Sequence, residues 1–148
     1  MKLLVLDDEP WSVSWIKPFV ARHGIEPRFV STFDEAVKES KTVAPDVAVI
    51  DIMIGQSGES FKGATLAKAE EDWEGLKFLR HLRVERKLSV KRTTIIVYTV
   101  LDTKELADIV ERAYVGLFCP KSDVTHFRRV LNESIVNKLP VKDSKRKE

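Results

Sequence analysis

The stretch KLLVLDDEP, residues 2–10, runs from an apolar segment straight into three acids and a proline. Leu3–Leu6 reads as a buried strand. Asp7, Asp8 and Glu9 then crowd like charges at its end, where two carboxylates about 4 Å apart repel by roughly 4 kcal/mol at an effective dielectric of 20. Such a group needs a proton or a cation to be tolerated. The bland alternative is a helix start, since acids and a first-turn proline suit a helix N-terminus. The rest of the chain decides between the two.

Outward from that stretch, apolar runs and amphipathic stretches alternate. Residues 10–23 carry spaced apolar residues and close at Gly24, with a kink or break expected at Pro18. Residues 28–30 read as a second strand. Thr32 and Glu35 form a capping box opening a helix to about residue 43, ended by Pro45. Val47–Ile50 is a third strand, apolar throughout and therefore covered on both faces. A long helix is predicted over 73–87 and a fourth strand over 94–98. Asp102 with Glu105 is read as the cap of the next helix, which ends near Gly116. Leu117 and Phe118 form a short fifth strand, and a final helix covers 123–138. Five strands alternating with five helices imply right-handed crossovers and a parallel sheet. The expected fold is α/β and doubly wound, (βα)5, with a five-stranded parallel sheet; if the first and third strands are neighbours, the order is the flavodoxin-like 2-1-3-4-5.

One connection breaks the rhythm. Between the third strand and the helix at Trp73 lie about twenty residues, where such links usually need a few. Residues 54–72 are read as an insertion: a flexible GQSGES loop, then a helix-forming segment. It is either a partner-binding, dimer or lid element, or a tolerated surface excursion. Domain organisation follows as one domain over 1–138 with a basic, disordered tail over 139–148.

Composition bounds the function. The chain has 148 residues, 25 Lys and Arg, 23 Asp and Glu and a formal net charge of +2. That balance does not argue for nucleic acid. Leu3–Leu6 is too short for a signal peptide or a membrane span. A single cysteine, Cys119, excludes an internal disulfide and CxxC-type zinc sites. His23, His81 and His126 have no metal-ligand spacing. Trp11 and Trp15 are assigned to the core or to helix packing, and Trp73 to pinning the insertion junction. A cytoplasmic protein without nucleic-acid or membrane partners is the expectation.

In an open parallel sheet, ligands bind beyond the carboxyl ends of the strands. Asp7, Asp8 and Glu9 follow the first strand, Asp51 the third and Lys121 the fifth; Thr99 ends the fourth. Taken singly, each has an ordinary reading as a cap, a turn residue or a solvated charge. Taken together, hard carboxylate oxygens without nearby His or Cys suit Mg²⁺. A lysine and a threonine hydroxyl suit phosphoryl oxygens, and an Asp carboxylate can itself accept a phosphoryl group.

With these residues in view, the chain resembles the receiver domain of two-component response regulators, CheY-like proteins. The likeness covers residues 2–138 apart from the long connection. It is carried by LDDE at 6–9, VIDIM at 49–53, VYTV at 97–100 and GLFCPKSD at 116–123. The resemblance implies Asp51 as phosphoacceptor for a histidine kinase or phosphorelay partner. It implies Mg²⁺ held by Asp8, Asp51 and the backbone carbonyl of Met53, with Asp7 acting through a metal-bound water. Thr99 and Lys121 would bind phosphoryl oxygens, and Phe118 would be the switch aromatic. Downstream contacts, including a possible homodimer, would use residues 102–138. Within the 148 residues no output domain follows, so a stand-alone receiver is expected: a phosphoacceptor with slow self-phosphorylation and self-dephosphorylation rather than an enzyme.

The sequence also departs from the family pattern. Val100 stands where a smaller residue is usual, which would narrow access to Asp51. Pro120 precedes Lys121 instead of following it, which alters the expected chain path there. These features motivate an alternative, a receiver-like interaction module that no longer uses phosphorylation. A Mg²⁺-dependent aspartyl-phosphate phosphohydrolase is the third reading; its usual second acid two residues past the nucleophile is here Met53.

Overall fold

A computed structural model describes residues 1–52 and 73–140. The expected insertion at 54–72, Met53 and residues 141–148 of the expected tail lie outside the described residues. Five parallel strands, β1 (Leu3–Leu6), β2 (Arg28–Val30), β3 (Val47–Ile50), β4 (Thr94–Thr99) and β5 (Leu117–Pro120), form one sheet in the order β2-β1-β3-β4-β5. This is the predicted topology, and β1 and β3 are direct neighbours, with Leu6 opposite Ile50.

Alternation along the strands sorts side chains into two cores. Leu4, Leu6, Ala48, Ile50, Ile95 and Val97 face one side. There they pack against the helices α2 (Phe33–Lys41), α3 (Glu74–Arg80) and α4 (Lys104–Asp108). Leu3, Val5, Val47, Val49, Ile96 and Tyr98 face the other side, against α1 (Ile16–Ala21) and α5 (Val124–Lys138). Tyr98 stacks on Phe127 of α5 at 3.8 Å between ring centroids, and the Trp15 edge meets Phe127 at 5.8 Å. Trp73 is buried in the first core, at the junction where it was expected.

Several boundaries moved for identifiable reasons. The predicted helix over 10–23 is a 3₁₀ turn, Pro10–Ser12, then turns, then α1. Pro18 falls in the first turn of α1, where its missing N–H costs nothing. The break therefore lies upstream of it, not at it. Gly24 closes the segment at φ +73°, as a glycine can. Thr32 caps α2 by accepting from the Glu35 N–H at 3.1 Å, while Glu35 accepts from the Ser31 N–H, one residue upstream of the usual partner. The cap of α4 is Thr103, not Asp102: its hydroxyl accepts from the Leu106 N–H at 3.2 Å. Both α3 and α4 widen into single π turns, His81–Glu85 and Ile109–Ala113, so the helix predicted over 73–87 is not α-helical throughout. Trp11 is not a core residue; it is 72% exposed.

Candidate phosphoryl site at the carboxyl edge

Because all five strands are parallel, their carboxyl ends share one edge, and the chemistry-bearing residues meet there. Asp7 directly follows β1 and is buried. Its N–H donates to the Val30 carbonyl at 3.0 Å, which extends the β1–β2 ladder by one residue. Asp51 directly follows β3, is buried, and donates its N–H to Leu6 at 2.9 Å. Backbone pairing thus sets both carboxylates side by side. Asp8, one residue on, is exposed. One carboxylate oxygen from each of Asp7, Asp8 and Asp51 lies within 4.8 Å of the others.

Lys121 enters from the end of β5. Its N–H donates to the Thr99 carbonyl at 2.7 Å, so the β4–β5 ladder continues through Pro120. Pro120 is tolerated because β5 is an edge strand. Lys121 Nζ then reaches Asp7 at 2.8 Å and Asp51 at 3.3 Å. Pro120 before Lys121 therefore does not divert the lysine from the carboxylates.

The electrostatics match this crowding. Burial pushes the Asp7 carboxyl above the ordinary aspartate range, against the opposing pull of its Lys121 hydrogen bond. Asp8 is raised as well, by desolvation and then by the negative charges of Asp51 and Asp7. Burial alone would lower Lys121; the Asp7 hydrogen bond and the two carboxylates more than reverse that, and its ammonium is held above the usual lysine range. One ammonium shared by two carboxylates leaves Asp8 to be neutralised. An oxygen-only donor set of this kind fits Mg²⁺. Asp7, Asp8 and Asp51 would supply the side-chain oxygens; the carbonyl of Met53 lies outside the described residues.

Thr99 ends β4 and is fully buried, and its Oγ1 has no hydrogen-bond partner among the described residues. An orphaned buried hydroxyl is costly unless something arrives to use it. Strand alternation puts Thr99 on the same sheet face as Val97, which pairs with Phe118. Phe118 is half-buried against the first core. Val100 lies past the end of β4 and is 64% exposed.

Sequence reasoning missed Gly75. A Cβ there would fall on the Asp51 carbonyl oxygen and 2.5 Å from Ile52 Cα. The first turn of α3 therefore presses directly on the backbone that carries Asp51. A glycine inside an otherwise helical pattern was the available signal.

No family model matches the sequence, and no curated protein matches it. Solved structures do match, over nearly the whole chain. The receiver domain of Francisella response regulator 1452 is 21% identical, with a TM-score of 0.68 over 93% of this chain and 98% of that one. A CheY-like receiver domain from Methanospirillum hungatei is 16% identical, with a TM-score of 0.61 over 92% and 97%. The Thermotoga maritima response regulator TrrA, in complex with Mg²⁺ and BeF, is 20% identical, with a TM-score of 0.61 over 90% and 97%. The chain has the fold of response-regulator receiver domains.

Proposed function

We propose that this chain is a phosphorylatable receiver, a signalling switch that accepts a phosphoryl group on Asp51. The observation that carries the reading is the joint placement of Asp7, Asp8, Asp51 and Lys121 around one point, beside a fully buried Thr99 hydroxyl that has no partner among the described residues.

The chemistry is an in-line transfer. An Asp51 carboxylate oxygen forms a bond to phosphorus. The bond from phosphorus to the donor breaks, and its electron pair leaves with the donor. In the cell that donor would be a phosphohistidine of a kinase or phosphotransfer protein. Mg²⁺, held by Asp7, Asp8, Asp51 and the Met53 carbonyl, would neutralise charge on the phosphoryl oxygens. Lys121 swings its ammonium from the two carboxylates to a phosphoryl oxygen. The Thr99 hydroxyl donates to another, gaining the partner it lacks. Moving Thr99 vacates space on its sheet face, which Phe118 fills by turning inward, and the surface over residues 102–138 changes for a downstream protein. The transfer is stoichiometric, so the protein is a phosphoacceptor rather than a turnover enzyme. The location this reading implies is the cytoplasm, where kinases and Mg²⁺ are at hand. Among the described residues no helix is long and apolar enough to cross a membrane.

The test is intact mass after incubation with Mg²⁺ and acetyl phosphate. Wild type should gain one phosphoryl group and Asp51→Asn none. Equal labelling of the variant would displace Asp51. No labelling, together with amide resonances of Thr99 and Phe118 that ignore Mg²⁺ and beryllofluoride, would reject the switch.

A further inference from the structure

Two features are left unused by the phosphoryl site, and they lie at opposite ends of the sheet. At the amino edge is a groove of about 810 Å³, between the starts of β4 and β5 and the last turn of α5. That volume falls within the range of ligand-binding clefts. Its apolar walls include Val90, Val115 and Leu117, each large and exposed. Lys91 and Lys138 make its rim cationic, Arg92 being paired with the one acid of the groove, Asp46, at 3.1 Å. The walls are fixed in place. Arg83 donates to the carbonyls of Thr93, Tyr114 and Val115 at 2.8, 2.6 and 3.1 Å, and Lys138 to those of Lys91 and Arg92.

At the carboxyl edge stands Trp11, with exposed Asp8 and Glu9 just before it. Its turn is tied down: the Ser12 N–H donates to Glu9 at 2.8 Å, and the Glu9 N–H to Asp7 Oδ1 at 2.9 Å. A tied turn loses little backbone entropy on docking, and an exposed tryptophan is among the residues enriched as interface anchors. An aromatic ring flanked by acids complements an apolar groove rimmed by cations, in shape class and in charge.

We propose that the chain self-associates head to tail, with the acidic Trp11 turn of one copy seated in the Val90–Lys91–Leu117 groove of the next. The two surfaces are different and sit at opposite ends of the strands, so the contact is heterologous and can repeat along a row of copies. The acids flanking Trp11 include Asp8 of the proposed Mg²⁺ site, so the test is run without divalent cation or phosphoryl donor, and its failure leaves the proposed function untouched.

Sedimentation velocity of the full chain over a concentration series tests it. Wild type should grow past the dimer at low ionic strength and shrink back as salt screens the charges. Trp11→Ala removes the anchor, and Val90→Glu with Lys91→Glu removes the groove. Each should stay monomeric, with association weakened at least tenfold, and each should keep the wild-type melting profile because the altered residues are exposed. Mixed one to one, they should form a heterodimer that grows no further, because one supplies only the groove and the other only the turn. A wild type that stays monomeric overturns the proposal. So does association that Trp11→Ala leaves intact, or a mixture of folded variants that does not pair.

Discussion

At the scale of single residues, the site is a set of costs awaiting a ligand. The raised Asp7 and Asp8 carboxyls mean that the folded state binds protons more tightly than the unfolded chain in the range just above ordinary carboxyl values. Stability without divalent cation therefore falls as pH rises through the folded values of these two carboxyls. Asp8→Asn should remove part of that loss, raising cation-free stability by about 1 kcal/mol, the well-screened end of the Coulomb scale. Mg²⁺ should then raise the melting temperature of wild type and leave the variant unmoved; thermal melts with and without the ion check both. Lys121 works the other way. Its raised ammonium contributes stability that is present at neutral pH and lost as pH climbs through its folded value. Lys121→Met should cost about 1.5–3 kcal/mol, the scale of a charged hydrogen bond, and Mg²⁺ should restore part of the loss. Thr99→Val replaces an unpartnered hydroxyl by a methyl, so it should stabilise the unphosphorylated protein by about 1 kcal/mol. It should also blunt the Phe118 response to beryllofluoride, read by amide shifts.

At the scale of elements, the site depends on how α3 meets β3. The Glu74 carboxylate accepts from the Phe33 N–H at 3.0 Å, joining the start of α3 to the start of α2. Gly75 lets that turn lie against the Asp51 backbone without a side chain between them. Gly75→Ala should cost about 1–3 kcal/mol through overpacking. It should also slow phosphoryl uptake by shifting Asp51, measured by denaturant melts beside the intact-mass time course. A substitution that left both unchanged would show that α3 can move away freely. The ends of α3 and α4 are alike. Each closes through a π turn, and the Arg83 guanidinium gathers carbonyls from the two loops that follow.

At the scale of the whole molecule, the parallel sheet gives the protein two unlike ends. The carboxyl edge collects Asp7, Asp8, Glu9 and Asp51; the amino edge offers Lys91, Arg92 and Lys138. A formal net charge of +2 hides this separation. The proposed Mg²⁺ and phosphoryl site occupies the carboxyl edge alone. At a dilution where wild type is monomeric, the groove variants Val90→Glu and Lys91→Glu should take up phosphoryl groups at the wild-type rate, checked by the same mass assay.

The sequence by itself determined the sheet. Runs such as Leu3–Leu6 and Val47–Ile50 admit only buried parallel strands when amphipathic stretches separate them. Asp7, Asp51 and Lys121 could be placed just past those runs and Thr99 at the end of one, whereas the order 2-1-3-4-5 was taken from the flavodoxin-like pattern and not from the runs themselves. Local rules also sufficed for Thr32, Gly24 and the start of α5 at Asp123. They failed where two candidates stood side by side, as with Asp102 and Thr103, because only the folded helix axis says which oxygen meets the free N–H. Exposure was beyond them too. Trp11 and Trp15 look alike in a periodic pattern, but a 3₁₀ turn lifts Trp11 into solvent while Trp15 lies against Phe127. Only the folded contacts brought Lys121 between two carboxylates, left Thr99 without a partner among the described residues and pressed Gly75 onto Asp51. Those are contacts across distant strands and helices, and no local spacing encodes the distance between them.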